Sequence, residues 1–329
     1  MGVRGVVAAS ALVATLLSGC GDDAGAGAVA EDAVWRTSTD PVEVRGLAWA
    51  TGSTVHLADG TEIHTADPVR AFLVAGDGVF YEPLAQGEED GSSFAGGPLY
   101  FAAPGREPVD TGLSAYDREI AASPDGTTLV LLDADHDEGS AVLRFFDLAT
   151  GEAFTSEDGM GNDHDDPEWN LSEAEVHVRG VSDDAVYVSA LEGSYVYDLA
   201  TGEGRPAGED DEPPGWDADP LHSPGGRWRI EQRDTGPDRV VGRDGEEVDL
   251  VLEEPRSALS WWADEETVVG TVARGPGRTN RTRPGDAVSL LSCVVPSGEC
   301  TTYPESTGQL VLFPAGSEIQ GIYLQGGDG

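Results

Sequence analysis

At 329 residues, 39% of them hydrophobic, the chain is long enough for a sizeable core, and its composition is not that of a disordered protein. It carries 19 Arg, no Lys and 61 acids, for a net charge of −42, and a field of that sign excludes nucleic acid and anionic lipid as natural partners. Arg in place of Lys, with abundant Ala, Gly, Asp and Val, fits a GC-rich coding sequence; a saline habitat is the other explanation of the acidity.

In chain order, Arg4 is the only charge before an apolar run from Val6 to Leu17. That run is too short to span a bilayer and reads as a cleaved export signal. It ends in Leu17-Ser18-Gly19-Cys20, which resembles the bacterial lipobox. The resemblance implies that residues 1–19 are removed and that Cys20 carries lipid; an ordinary secretory signal with an incidental Cys is the alternative. No later stretch approaches about 18 uninterrupted apolar residues, so lipid would be the only membrane attachment of an extracytoplasmic protein. Residues 20–41 are rich in Gly, Ala and Asp and read as a flexible tether, with Trp35 available to dock onto the domain.

From about Val42 to Gln325 the chain repeats. Between Arg118 and Phe154 it reads as four short strands: Glu119–Ser123, Thr128–Asp133, Ala141–Asp147 and Glu152–Thr155. They are separated by a Ser-Pro-Asp-Gly turn, an acidic loop and an Ala-Thr-Gly turn. The second hairpin of this unit recurs with turn glycines at 60, 105, 151, 202, 245 and 298, spaced by 45, 46, 51, 43 and 53 residues. A four-strand unit at that period is the pattern of propeller blades. The first hairpin also recurs, but the chain begins on a second hairpin, around Gly60, and ends on a first one, around Gly316. The two ends should therefore complete one blade between them, closing a six-bladed, all-β ring with no free sheet edge.

The motif Ala-Ser-Pro-Asp-Gly, then two strands, then Asp-Leu-x-Thr-Gly, resembles the TolB-type and WD-repeat-like propellers. Ser123-Pro124-Asp125-Gly126 and His222-Ser223-Pro224-Gly225-Gly226 carry it best; Trp262-Ala263-Asp264 is a weaker echo. The resemblance covers the fold and leaves the activity open, because one fold hosts many.

Cys293 and Cys300 flank a short hairpin and fall opposite each other, which predicts a cross-strand disulfide in an exported chain. Turns inside the hairpins are short, whereas loops between strands two and three and between blades are long; these gather on one face, where function is expected. Four of the long loops are acidic. Trp169 and Trp216 stand before successive blades, and Arg278 and Arg281 lie in an Arg-rich loop. Together they suggest aromatic stacking and polar recognition of a ligand. The plainer readings are solvated charge, packing between blades and neutralisation of an acidic rim.

A divalent cation could be held by Asp133, Asp135, His136 and Asp137 in one loop with Asp163, His164 and Asp165 in another, a mixed nitrogen and oxygen set. The first of these loops is a poor calcium loop, because its Gly139 comes one place late and Arg144 stands at position twelve. No nucleophile elbow or phosphate-cradling loop appears. The sequence thus points to a lipid-anchored, non-catalytic propeller that binds an envelope protein, peptide or glycan without a resident cofactor. A hydrolase or lyase acting on glycan or lactone with a divalent metal is the alternative.

Overall fold

The computed structural model describes residues 34–87, 91–135, 140–161, 176–213, 219–234, 236–252, 256–275 and 282–325. These are nearly all β, with two single-turn 3-10 helices at Val34–Arg36 and Pro304–Ser306. The first sheet opens with β1 (Trp49–Thr51), β2 (Thr54–His56) and β3 (Glu62–His64). The second holds β4 (Val69–Ala75), β5 (Gly78–Pro83), β6 (Ala95–Ala102) and β7 (Val109–Tyr116). The third holds β8 (Ile120–Ala122), β9 (Thr128–Asp135), β10 (Ser140–Asp147) and β11 (Ala153–Ser156). The fourth holds β12 (His177–Val181), β13 (Ala185–Ala190), β14 (Gly193–Asp198) and β15 (Gly204–Pro206).

The fifth sheet has three strands, β16 (Trp228–Glu231), β17 (Arg239–Gly242) and β18 (Glu247–Val248), with a single bridge from His222 to Arg229 where a fourth would stand. The sixth holds β19 (Ser257–Trp262), β20 (Thr267–Arg274), β21 (Ala287–Val294) and β22 (Cys300–Tyr303). The last hairpin, β23 (Leu310–Leu312) and β24 (Gly321–Tyr323), returns to the first sheet, whose order is β24-β23-β1-β2-β3. All six sheets are antiparallel ladders.

The turns have a physical cause legible in the residues. In Ser123-Pro-Asp-Gly126, the Ser123 hydroxyl accepts the Thr128 N–H at 2.9 Å and donates to Asp125, while Gly126 sits at φ +69°, where a Cβ would be strained. Ser223 repeats the capping bond with the Trp228 N–H at 3.1 Å. In the two Asp-Leu-Ala-Thr-Gly turns, Asp147 and Asp198 each accept two backbone N–H groups from the turn that follows.

Consecutive sheets share apolar cores. One core joins the first and second sheets through Val55, Ile63, Phe72 and Val79; another joins the second and third through Phe80, Phe101, Leu129 and Phe146. Phe145, Val186 and Tyr197 bind the third to the fourth, and Trp228, Val240, Leu259 and Val268 bind the fifth to the sixth. Trp49, Trp261, Leu290 and Phe313 bind the sixth back to the first. Among the described residues no such core spans the fourth and fifth sheets. The leading strands β4, β8 and β12 touch in succession, as the inner strands of propeller blades do.

The junction of the two chain ends differs from the expected two-plus-two pairing. The N-terminal segment supplies three strands, because Trp49–Thr51 forms β1 ahead of a tight turn at Gly52. β1 then pairs with β23, Ala50 opposite Leu312, so the sheet has five strands. The disulfide joins Cys293 and Cys300, which are direct partners in the β21–β22 register.

Candidate functional site

Because strands alternate in direction, the turns within hairpins share one face and the remaining connections share the other. The short-turn face is crossed by the N-terminal segment. Trp35 is buried between the second and third sheets, edge-on to Phe80 at 5.6 Å and Phe146 at 5.3 Å. Beyond it the Asp77 carboxylate accepts the Ser38 hydroxyl, the Thr39 N–H at 2.7 Å and the Asp40 N–H at 3.1 Å. Burial alone would push that carboxyl up, but these hydrogen bonds hold it below its ordinary value. The Val42 N–H then reaches the Gly76 carbonyl, and the Gly46 N–H reaches Asp264 at 2.6 Å. Residues 34–41, assigned from the sequence to a tether, thus lie strapped across the β4–β5, β6–β7 and β10–β11 turns at Asp77, Arg106 and Leu148, because Trp35 finds an apolar site between two sheets.

The opposite face carries the long connections. Of the residues singled out there from the sequence, Trp169, Trp216, Arg278, Arg281, His136, Asp137, Asp163, His164 and Asp165 lie outside the described residues, as does Cys20. Asp133 and Asp135 belong to β9 rather than to a loop, because the β9–β10 ladder runs on to the Asp135–Ser140 pair. Asp133 is ion-paired with Arg144 on the neighbouring strand, a competitor for any cation. Among the described residues, no group of three or more His, Cys, Asp or Glu is gathered as metal ligands.

Two long connections are clamped at their bases. In the second sheet, buried Glu82 accepts the Ala95 N–H at 2.8 Å. In the sixth, the Arg256–Asp286 pair at 2.7 Å stands at the base of the β20–β21 connection, and Asp286 also accepts the Arg283 N–H at 2.8 Å. The Arg256 guanidinium holds the Asp286 carboxyl below its usual range. The C-terminal hairpin reaches the same face: Gln320 donates to Asp117 at 3.2 Å, and Gln325 bridges Ala287.

The fifth sheet is different. Along β16, Trp228 and Ile230 point into the core shared with the sixth sheet, so Arg229 and Glu231 point the other way. In β17, Val240 faces that core and Arg239 stands opposite Glu231. Among the described residues, no apolar core lies on this second face. It holds two ion pairs, Arg229 with Glu231 and Arg239 with Glu247 at 2.7 Å, and a contact of His222 Nδ1 with Asp219 at 3.3 Å. The side chains of Arg229 and Arg239 are 51% and 40% exposed, so each pair contributes only about 0–1 kcal/mol.

The fourth sheet also turns polar groups away from the third, in the cross-strand row His177, Ser189, Ser194 and in Arg205, which is forked onto Asp211 at 2.6 and 2.8 Å. A cleft of about 530 Å³ lies against the fifth sheet, lined by Asp219, His222, Arg229, Glu231, Gln232 and Arg239 among others. Its residues come from the entry to the sheet and the β16–β17 connection, so it opens at the long-loop end. None of these residues belongs to the ligand set expected from the sequence. Their signal was the alternation Trp228-Arg229-Ile230-Glu231, which marks a strand with one polar face.

No family model and no characterised protein matches the chain. Solved structures similar to it include a protein assigned as TolB from Agrobacterium tumefaciens, at 17% identity over 80% of this chain and 84% of that one, with a TM-score of 0.31. The β-propeller domain of the Trilobed protease from Pyrococcus furiosus is 10% identical over 79% of this chain and 85% of that one, at 0.27. The tricorn protease is 12% identical over 74% of this chain but only 25% of its own length, also at 0.27. Overlaps this loose carry no weight on activity. What defines the protein as a propeller-type fold is its own six sheets and the cores between consecutive ones.

Proposed function

We propose that this protein is a six-bladed propeller closed between its chain ends, held at the outer side of a bacterial membrane by lipid on Cys20, and that it binds an envelope protein, peptide or glycan on its long-loop face without catalysing a reaction. Closure is supported by the β1–β23 pairing and by the cores on both sides of that sheet. The observation that carries the function is the difference between the two faces. The strap from Trp35 to Gly46 brings the tether onto the short-turn face, while the long connections and the open, charged cleft lie on the other. An anchor attached this way turns the cleft away from the membrane.

Two measurements on the full chain, exported and lipidated in a bacterial host, test this reading. Metabolic labelling with an alkyne fatty acid should mark the wild type and not Cys20→Ala. In sealed spheroplasts, a bulky impermeant maleimide should react faster with Asp210→Cys, on the long-loop face, than with Thr150→Cys, on the short-turn face. Equal rates, or an unlabelled wild type, would overturn the anchored orientation.

A further inference from the structure

We propose that the cleft on the fifth sheet is a subsite for a short zwitterionic peptide, whose carboxylate is taken by the Arg229 and Arg239 guanidinium groups and whose ammonium is taken by Glu231 and Asp219. This rests on the long-loop binding reading and gives it a ligand class.

The first support is the pattern of charge. Glu231 and Arg239 are cross-strand partners, and Arg229 pairs with Glu231 along the strand, so opposite signs alternate in both directions of the sheet. Guanidinium forks match carboxylates bidentately, and carboxylates accept from an ammonium. The second support is exchangeability. These pairs are largely exposed, unlike the buried Arg256–Asp286 pair, so a ligand's charges can replace one partner without uncovering a desolvated group.

The third support is the contrast with the rest of the molecule. A net charge of −42 repels a bare anion and attracts cations to the whole surface, so neither is selected by this site. Around the cleft, however, Arg229, Arg233 and Arg239 stand with Asp219, Glu231 and Glu247, three charges of each sign. Screening over about 8 Å at physiological salt lets this near-neutral patch act on its own. A ligand bearing both charges is what such a patch distinguishes. The cleft's volume of about 530 Å³ lies in the range of small-ligand sites.

Calorimetry on the mature chain with four probes decides the matter: trialanine, N-acetyl-trialanine, trialanine amide and N-acetyl-trialanine amide. Trialanine should give a saturable isotherm that each single block weakens about tenfold or more and that the double block abolishes. The double variant Arg229→Gln, Arg239→Gln should lose trialanine binding by about tenfold or more, whereas Arg243→Gln, at the short-turn end of the same sheet, should not. Exchanging the Arg239–Glu247 pair (Arg239→Glu with Glu247→Arg) keeps an ion pair in the fold and should also weaken binding. Equal binding of trialanine and either singly blocked probe overturns the zwitterion. Unchanged affinity in the double variant overturns the site. No saturable heat with any probe overturns the proposal while leaving the face-labelling result, and the reading it tests, where they stand.

Discussion

Asp77 ties the N-terminal strap to the second sheet by accepting the Ser38 hydroxyl, the Thr39 N–H and hydroxyl and the Asp40 N–H, and it meets the Arg106 guanidinium at 3.4 Å. Its folded carboxyl sits below the ordinary value of 3.8. The unfolded chain therefore takes up a proton that the folded one refuses. The stabilisation is complete above about pH 5 and is lost as pH falls through the folded value. Asp77→Asn should lower stability at pH 7 by about 1–3 kcal/mol and flatten the acid limb of the stability–pH curve, as read by urea melts from pH 7 to pH 2. Arg256 and Asp286 test a different cost. Asp286→Asn removes the charge partner that Arg256 meets at 2.7 Å and should lower stability. Arg256→Met with Asp286→Leu removes both charges and should cost clearly less, which the same melts would show.

At the scale of elements, the β21–β22 hairpin is the one with a covalent tie. Cys293→Ser should lower stability by about 2.5 kcal/mol at most, since the loop closed is short, and should leave a cooperative transition. Thiol titration of the unreduced protein should find neither sulfur. This hairpin was legible because two cysteines faced each other across a turn. The third sheet was legible because Ser-Pro-Asp-Gly and Asp-Leu-Ala-Thr-Gly carry their own turn chemistry. β1 was not: the three residues Trp49–Thr51 give too short an alternation to register, and only pairing with β23 makes them a strand. β9 ran two residues beyond the expected end because a ladder partner, Ser140, outweighs the loop-like composition of Asp133–Asp135. The cleft was half legible. Arg229, Glu231 and Arg239 alternate with Trp228, Ile230 and Val240 in plain sight, yet whether a polar face meets solvent or a neighbour is a property of distant residues.

For the whole molecule, the first sheet is the joint where strands from both ends of the described chain pair. Removing residues 309–329 takes away β23 and β24, uncovers the edge of β1 and strips Phe313 and Leu324 from the core shared with the sixth sheet. The truncated chain should aggregate or lose its single cooperative transition, as followed by light scattering and thermal melts; a melt matching the full-length protein would show that the joint is dispensable. The strap bears on this joint in mechanical terms. A pull on the chain ahead of Val34 enters the fold at Trp35 and runs next to the hydrogen bonds at Asp77. The β1–β23 pair lies further along the line of force and carries no load until the strap has peeled from three turns. A domain dragged by its own tether would thus yield first in a segment that can re-dock, and the joint between its two ends would be the last part to feel the strain.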